Sequence, residues 1–504
     1  MHIMAWLWVL ALAFSAWGQL CWAGQHYFVR LDGNDQHSGV SPARAWRSID
    51  RLNRHVFARG DTVYFQGGAT FVGSIRIADH AGLRLEGLGA APAVIFSGEH
   101  AGLELVNASQ VVVRHLHFRG SGSPHNHSHG LHIVATHPAR HFRGLLFQHL
   151  DVSGYGLHGI FVSSLWANAG FRDVRFSHIQ SHHNVLSGLT VDARYPSRPH
   201  KNVRVAFVQT SFNPGDPQAK SRSGSGIVLG GVDGGRIEHS EAFENGALSR
   251  PTASGGPVGI WTWNARRVVI QYNKPHHNHC GCPVDGGGFD IDGGVTDSVL
   301  RYNFSAFNDG YGYQFAQFPY APPFARNRIS HNISYADTRA FEAGGLQIWG
   351  PVGGASVISK NIIYSTKSMH PKAAQIFFTA WSGEGLQVTD NVYYSRHEGP
   401  VAVMEASTGR QLRMDRNHFF AGGDFHGVLW QGVTYTNIQD WVQATGLEME
   451  SAFVRQAAIN VEHLNFMHQK QLTHKHFQRA HRWFKTARMG GQGKADQGMP
   501  VRQE

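Results

Sequence analysis

The chain has 504 residues, 59 of them Gly, with 45 Lys or Arg against 35 Asp or Glu and a formal charge of +10. Three cysteines are too few for a disulfide-stapled scaffold, so stability must come from packing. From residue 465 onward eight Lys and Arg face only Asp496 and Glu504; the rest of the chain is mildly basic, which argues against a nucleic-acid partner.

Met1 to Ala23 is a Trp-, Leu- and Ala-rich run ending in a small residue, read as a secretory signal, with a single anchor helix as its alternative. No later segment is long and apolar enough to cross a bilayer. Tyr27 to Val29 starts a strand, and Ala43 to Val56 places Trp46, Ile49, Leu52 and Val56 at helical spacing. From about Asp61 to Gly423 a repeat takes over. Asn273, Asn303, Asn332, Asn361, Asn391 and Asn417 recur at steps of 30, 29, 29, 30 and 26 residues, each three residues after an apolar side chain. Upstream the same register runs through Leu116, Leu150, Ile179, Thr210 and Ser240. A unit this short cannot bury its own apolar face, so units must stack. Each also carries a Gly followed by period-two alternation, as in Gly259-Ile-Trp-Thr-Trp, Gly288-Phe-Asp-Ile-Asp and Gly345-Leu-Gln-Ile-Trp. That is a strand pattern, and it predicts an all-β solenoid of parallel sheets, eleven or more rungs long, with short helical caps. An Asn at one corner can hydrogen-bond along the stack and tolerates a left-handed backbone. Excursions at 195–201, 213–223, 245–256, 317–325 and 335–343 are expected to line the working face. A second capping helix is predicted over 435–448, with Thr436 as N-cap and Gly446 as its stop. The organisation is therefore a signal (1–23), N-terminal cap and first rungs (24–110), repeats (111–425), C-terminal cap (426–464) and a solvated basic tail (465–504).

These repeats, with Tyr27-Phe-Val-Arg-Leu-Asp-Gly-Asn-Asp, Ala45-Trp-Arg-Ser-Ile and Gly60-Asp-Thr-Val-Tyr-Phe-Gln-Gly-Gly near the start, resemble the right-handed parallel β-helix superfamily of the pectin-lyase-like fold over roughly residues 25 to 425. The resemblance implies the fold. It leaves the substrate open, because one fold hosts many chemistries.

Alternation sorts side chains into lumen and outside. With Ile260, Phe289, Ile291, Leu346 and Ile348 internal, Trp261, Trp263, Asp290, Asp292, Gln347 and Trp349 point outward, and Gln314 joins them from the rung between. Ring faces for stacking on sugars beside paired carboxylates suit a glycan. Asp290 and Asp292 are the expected acid and base, Asp285 a third candidate, and Asp309 and Glu342 further members. Trp261, Trp263, Gln314, Gln347 and Trp349 would bind substrate. The reading is a secreted or periplasmic monomeric enzyme that hydrolyses a polysaccharide, needs no cofactor and leaves the membrane once the signal is cut. One alternative is a lyase holding Ca²⁺ on Asp285, Asp290 and Asp292, for which Lys274, Arg301 and Arg339 are candidate bases off the outward strand. Another is a glycan-binding surface protein without catalysis. His276-His-Asn-His-Cys-Gly-Cys282 matches no closed tetrahedral metal pattern; Cys280 and Cys282 either close a tight disulfide or stay reduced.

Overall fold

The computed structural model describes residues 24–480 apart from 252–254, 283, 367–368, 397–398, 422–426, 456–466 and 468–471; the predicted signal lies outside the described residues. Short strands coil through about 12 turns. One wall of 14 strands runs from Ile75–Ala78 to Val433–Tyr435, parallel throughout except for its last pair, Val428–Trp430 with Val433–Tyr435. The remaining walls form one hydrogen-bonded set of 24 strands. Parallel neighbours need a long return path, and here the other walls supply it. In the lumen, Ile260, Phe289, Tyr313, Leu346 and Ile376 lie one above another in register, all fully buried. Their burial is the dominant favourable term, roughly 1.5–3 kcal/mol for each large side chain.

The asparagines form a hydrogen-bonded ladder. Asn303 donates its amide to Asn332 Oδ1 (3.0 Å), and the Asn303 backbone N–H reaches the same oxygen (2.9 Å). Asn332 repeats this toward Asn361 and also donates to Leu300 O (2.9 Å). Each side chain thus satisfies groups at a corner where the sheet ladder is interrupted. Ser240 takes the slot before Asn273, accepting from Val208 N–H and donating its own N–H to Asn273 Oδ1. Upstream, Leu116, Leu150 and Ile179 are aligned as expected, but Ile179 pairs with Val208, and Thr210 pairs with Ser181. The rung there is simply two residues shorter than the spacing suggested.

A second ladder, unread in the sequence, climbs another corner through Asn184, Asn213, Asn245, Asn278 and Asn308 to Asp337. It explains the repeating glycine at the strand start. A Cβ on Gly288 would lie 2.1 Å from Ser305 Oγ and 3.1 Å from Asn308 Nδ2. Both ladders end on buried acids. Burial pushes Asp337 up to about 6, although Ser334 and Asn308 donate to it. Burial likewise raises Glu448, which accepts from Asn417, to about 7. A carboxyl whose pKa is higher folded than unfolded gives its full stability below about pH 4 and loses it as pH rises through the folded value. Stability should therefore fall between about pH 4 and pH 7. Asp337→Asn should gain on the order of 2 kcal/mol over wild type at pH 8 and nothing at pH 4, as read by denaturant midpoints.

The caps differ in detail from expectation. At the N-terminal end only Ile49–Asn53 is α-helical, capped by the Ser48 hydroxyl, because Trp46 is held in a bridge to Val29. Trp46, Ile49 and Leu52 are buried, but Val56 is 90% exposed. The C-terminal helix is Ile438–Thr445, and Asn437 rather than Thr436 caps it, accepting from Gln439 N–H; Gly446 closes it in the left-handed region as predicted. A further strand, Ala452–Arg455, pairs with His418–Ala421, so the coil outlasts residue 425. Part of the expected solvated tail is packed: Met467, Leu472, Phe477 and Ala480 are buried against Phe304, Ile333, Tyr335 and Tyr364. Those rungs carry apolar side chains on their outer face, which needs a cover.

Candidate active site

The 14-stranded wall places Trp261, Asp290, Gln314, Gln347 and Phe377 directly above one another on its outer face, about 4.8 Å apart per rung. Two residues further along each strand, Trp263 and Asp292 follow the paired Thr262 and Ile291, and Trp349 lies between Ala316 and Thr379. The predicted side chains therefore do share one wall. Except for Trp349, they do not face open solvent. Trp261 and Asp290 are each 3% exposed, whereas Trp349 is 36% exposed. The excursions cover them, making a cleft of ≈ 860 Å³. Tyr195 stacks on Trp263 (5.8 Å between ring centres) and donates its hydroxyl to Tyr320 O (3.1 Å). Phe318 and Phe341 come from the excursions at 317–325 and 335–343, and Gly255 and Gly256 from that at 245–256.

Three carboxyl groups meet on the floor in different surroundings. Asp285 accepts from Tyr311 Oη (2.8 Å) and from Gly256 N–H. Asp290 accepts from Gln314 Nε2 (3.0 Å), and Gln314 Oε1 accepts in turn from Gln347 (2.8 Å). The other oxygen of Asp290, Oδ1, is buried without a partner among the described residues. Asp292 is half-buried and accepts from Gly293 N–H (2.6 Å). Burial raises all three. Asp290 is pushed well above the usual carboxylate range, with the charges of Asp292 and Asp285 adding to burial. Asp292 is pushed up to about 6 by burial, which outweighs the Gly293 N–H and the nearby Arg222. Asp285 is raised by burial against the pull of its Tyr311 and Gly256 donors. Low dielectric and like charges thus keep a proton on this group near neutrality.

Several participants were not legible. Arg222, near the end of the 213–223 excursion, lies over the rings of Trp261 (5.0 Å) and Trp263 (4.6 Å) and pairs with Asp192 (3.3 Å). Together with Val228, Val258 and Tyr311 it covers Trp261, so that ring is packed rather than presented. Tyr311 is signalled only by the Gly310-Tyr-Gly-Tyr run. Glu405, which accepts from Thr379 (2.6 Å), and Glu342, 3.7 Å from Lys372, also line the cleft. Asp309 is elsewhere, holding His279 against Glu244; both acids lie 3.0 Å from the imidazole, which Asp309 chiefly raises to about 9. Cys280 and Cys282 are joined as a disulfide. None of the candidate bases lines the cleft: Lys274 pairs with Glu241 (3.2 Å) and Arg301 with Gln271 (3.2 Å) on other walls. The three aspartates also fit Ca²⁺ poorly, since four of their six oxygens already accept protein donors. Among the described residues no group of three His, Cys, Asp or Glu is placed to hold an ion.

No family model and no curated protein matches the chain. Solved structures do. A GH136 lacto-N-biosidase from Eubacterium ramulus superposes with a TM-score of 0.53 at 14% identity, over 72% of this chain and 68% of that one. The fold is a right-handed parallel β-helix. A mannuronan C-5 epimerase A-module from Azotobacter vinelandii (TM-score 0.45, 10% identity, 80% and 91% covered) and the pectate lyase Pel9A (TM-score 0.30, 11% identity, 73% and 78% covered) are more distant matches. At these identities the likeness concerns the β-helix alone.

Proposed function

We propose that this β-helix is an exported, carbohydrate-active enzyme that hydrolyses a glycosidic bond held in the cleft. The observation that carries the reading is the convergence of Asp285, Asp290 and Asp292 in one aromatic cleft with three different environments. Carboxyls set apart in this way divide into acid and base. Asp292, half-exposed to the cleft, is the general acid that protonates the leaving oxygen. Asp285, held by two donors, keeps its charge more readily and meets the anomeric carbon's developing positive charge, as base toward water or as nucleophile. Asp290 stays neutral between them and is a positioning residue, fixed by Gln314 and Gln347. Trp349, the exposed ring, is the sugar platform, with Trp263 and Tyr195 forming the side wall.

The cleft's charge favours hydrolysis over elimination. Beside the protonated Asp290 and Asp292, the carboxylates Asp285, Glu342 and Glu405 face one guanidinium, Arg222, that already serves Asp192. A uronate would be repelled here, so the substrate is an uncharged glycan. The GH136 lacto-N-biosidase shares the β-helix scaffold.

A panel of neutral and uronate oligosaccharides, scored for new reducing ends and for ultraviolet absorbance, tests this. Reducing ends from a neutral glycan without absorbance are expected; an absorbing product from a uronate, or no cleavage at all, refutes the reading. The pH profile follows from the same assignment. An acid with a pKa of about 6 is competent only while protonated, so kcat should fall as pH rises through about 6. A rate that keeps climbing to pH 8 would remove Asp292 from that role.

A further inference from the structure

The wall away from the cleft carries a second charge pattern, of opposite sign. On consecutive rungs Arg143, Arg172 and Lys201 are in register, and three residues on Leu146, Arg175, Arg204 and Arg236 are too. The two columns flank a corner where Gly144, Asp173, Asn202 and Gly234 take left-handed backbone, so the solenoid turns outward between them. Arg143, Arg172, Arg175, Arg204 and Arg236 are exposed and Lys201 half-exposed. Stacked at about 4.8 Å per rung, like charges repel by about 1 kcal/mol per pair even in water. The chain relieves this elsewhere on the same corner: Asp233 takes Arg266 and Arg267 (both 2.7 Å), and Asp297 takes Arg326 (2.6 Å). Over the rungs upstream only Lys201, in register with Asp233, shares that relief. Arg143, Arg172, Arg175 and Arg204 have no carboxylate partner among the described residues, Arg236 has only Glu238 at 3.4 Å, and the carboxylate at the corner itself, Asp173, accepts from Asn202.

We infer that this cationic edge binds an acidic polysaccharide laid along the β-helix axis, separately from the cleft. Charge complementarity names the class: a linear chain with one carboxylate per sugar meets a ladder with one or two cations per rung. A nucleic-acid duplex fits less well, with a phosphate every ~3.4 Å of each strand and, for a single strand, a need for open ring faces that these two columns lack. The edge would hold the enzyme on an acidic matrix while the acidic cleft works on a neutral chain. The inference does not depend on the hydrolase reading.

The test uses the full chain and polygalacturonate, with dextran, single-stranded DNA and phosphatidylglycerol vesicles as further arms. Polygalacturonate should bind, dextran should not, and affinity should weaken roughly 10- to 100-fold between about 50 and about 200 mM NaCl, as for about four charge contacts. Arg172→Gln/Arg175→Gln/Arg204→Gln should cost about 10-fold or more at low salt. Arg266→Gln/Arg326→Gln, at paired positions, and Asp292→Asn, in the cleft, should cost little. Were the triple variant misfolded by circular dichroism, Arg175→Gln alone should still weaken binding and lower its salt dependence. No binding by wild type, equal binding by the folded triple variant, loss in Asp292→Asn, or binding to DNA or vesicles in preference to polygalacturonate would overturn it.

Discussion

Asp292→Asn should lower kcat by about 10³-fold, within the range a positioned general acid supplies, and Asp285→Asn should be at least as damaging. Asp290→Asn should keep activity within about 10-fold of wild type. The difference rests on protonation. Asp290 is 3% exposed, lies between two other carboxyls and accepts from Gln314 on one oxygen only. An amide resembles the neutral acid that these surroundings enforce, so the change removes little that operates at neutral pH. For Asp292 and Asp285 the amide removes the transferable proton in one case and the charge in the other. None of the three proteins should unfold below the wild-type temperature near neutral pH, because the lumen is untouched and each amide replaces a carboxyl whose pKa burial raises. Were Asp290→Asn as inactive as Asp292→Asn in steady-state assays, the middle acid would have to be a proton-transfer partner and the division of roles would be wrong.

Asn332→Ala should destabilise the β-helix by about 4 kcal/mol or more. The side chain accepts from the Asn303 backbone and amide and donates to Leu300 O and Asn361 Oδ1, all at 2.9 to 3.0 Å in a fully buried corner. Deleting it removes four hydrogen bonds, at about 0.5–1.5 kcal/mol each, and leaves the buried Asn303 N–H without its acceptor, at about 1–3 kcal/mol, while Asn361 Oδ1 keeps the backbone N–H of residue 332 and Asn303 Nδ2 keeps Ile270 O and Arg301 O. In a solenoid each rung touches only its neighbours, so the loss is local. Amide exchange should quicken around 300–362 while rungs near Val113 stay protected. A midpoint shift equivalent to under about 1 kcal/mol would show that the ladder contributes little beyond filling the corner.

The periodic part of this chain was readable because stacking forces it. The ladder Asn positions and the alternation around Ile260, Phe289 and Ile348 encode lumen against exterior directly, and the five excursions do gather over the wall that carries the aspartates. The second ladder was equally periodic, at steps of 29, 32, 33, 30 and 29 residues, but its strongest companion signal is a glycine, which reads as a strand boundary until Asn308 is seen against Gly288. What could not be read was whatever depends on loops folding back. Alternation turns Trp261 outward and says nothing of Arg222 settling on its ring. It likewise cannot tell a solvated Asp290 from one sealed under Gln314 and Tyr311, and that burial is what separates the three acids. Val56 failed for a related reason: the bridge from Val29 to Trp46 delays the helix, so the spacing from Trp46 to Val56 is never realised as helix.

The most direct measurement is a crystal structure of Asp292→Asn soaked with the neutral glycan that wild type cleaves. The sugar should lie in the cleft against Trp349, with the linkage oxygen about 3 Å from the side chain at position 292 and the anomeric carbon facing Asp285. A glycan bound on another wall, or one whose linkage sits beyond reach of both acids, would contradict the account.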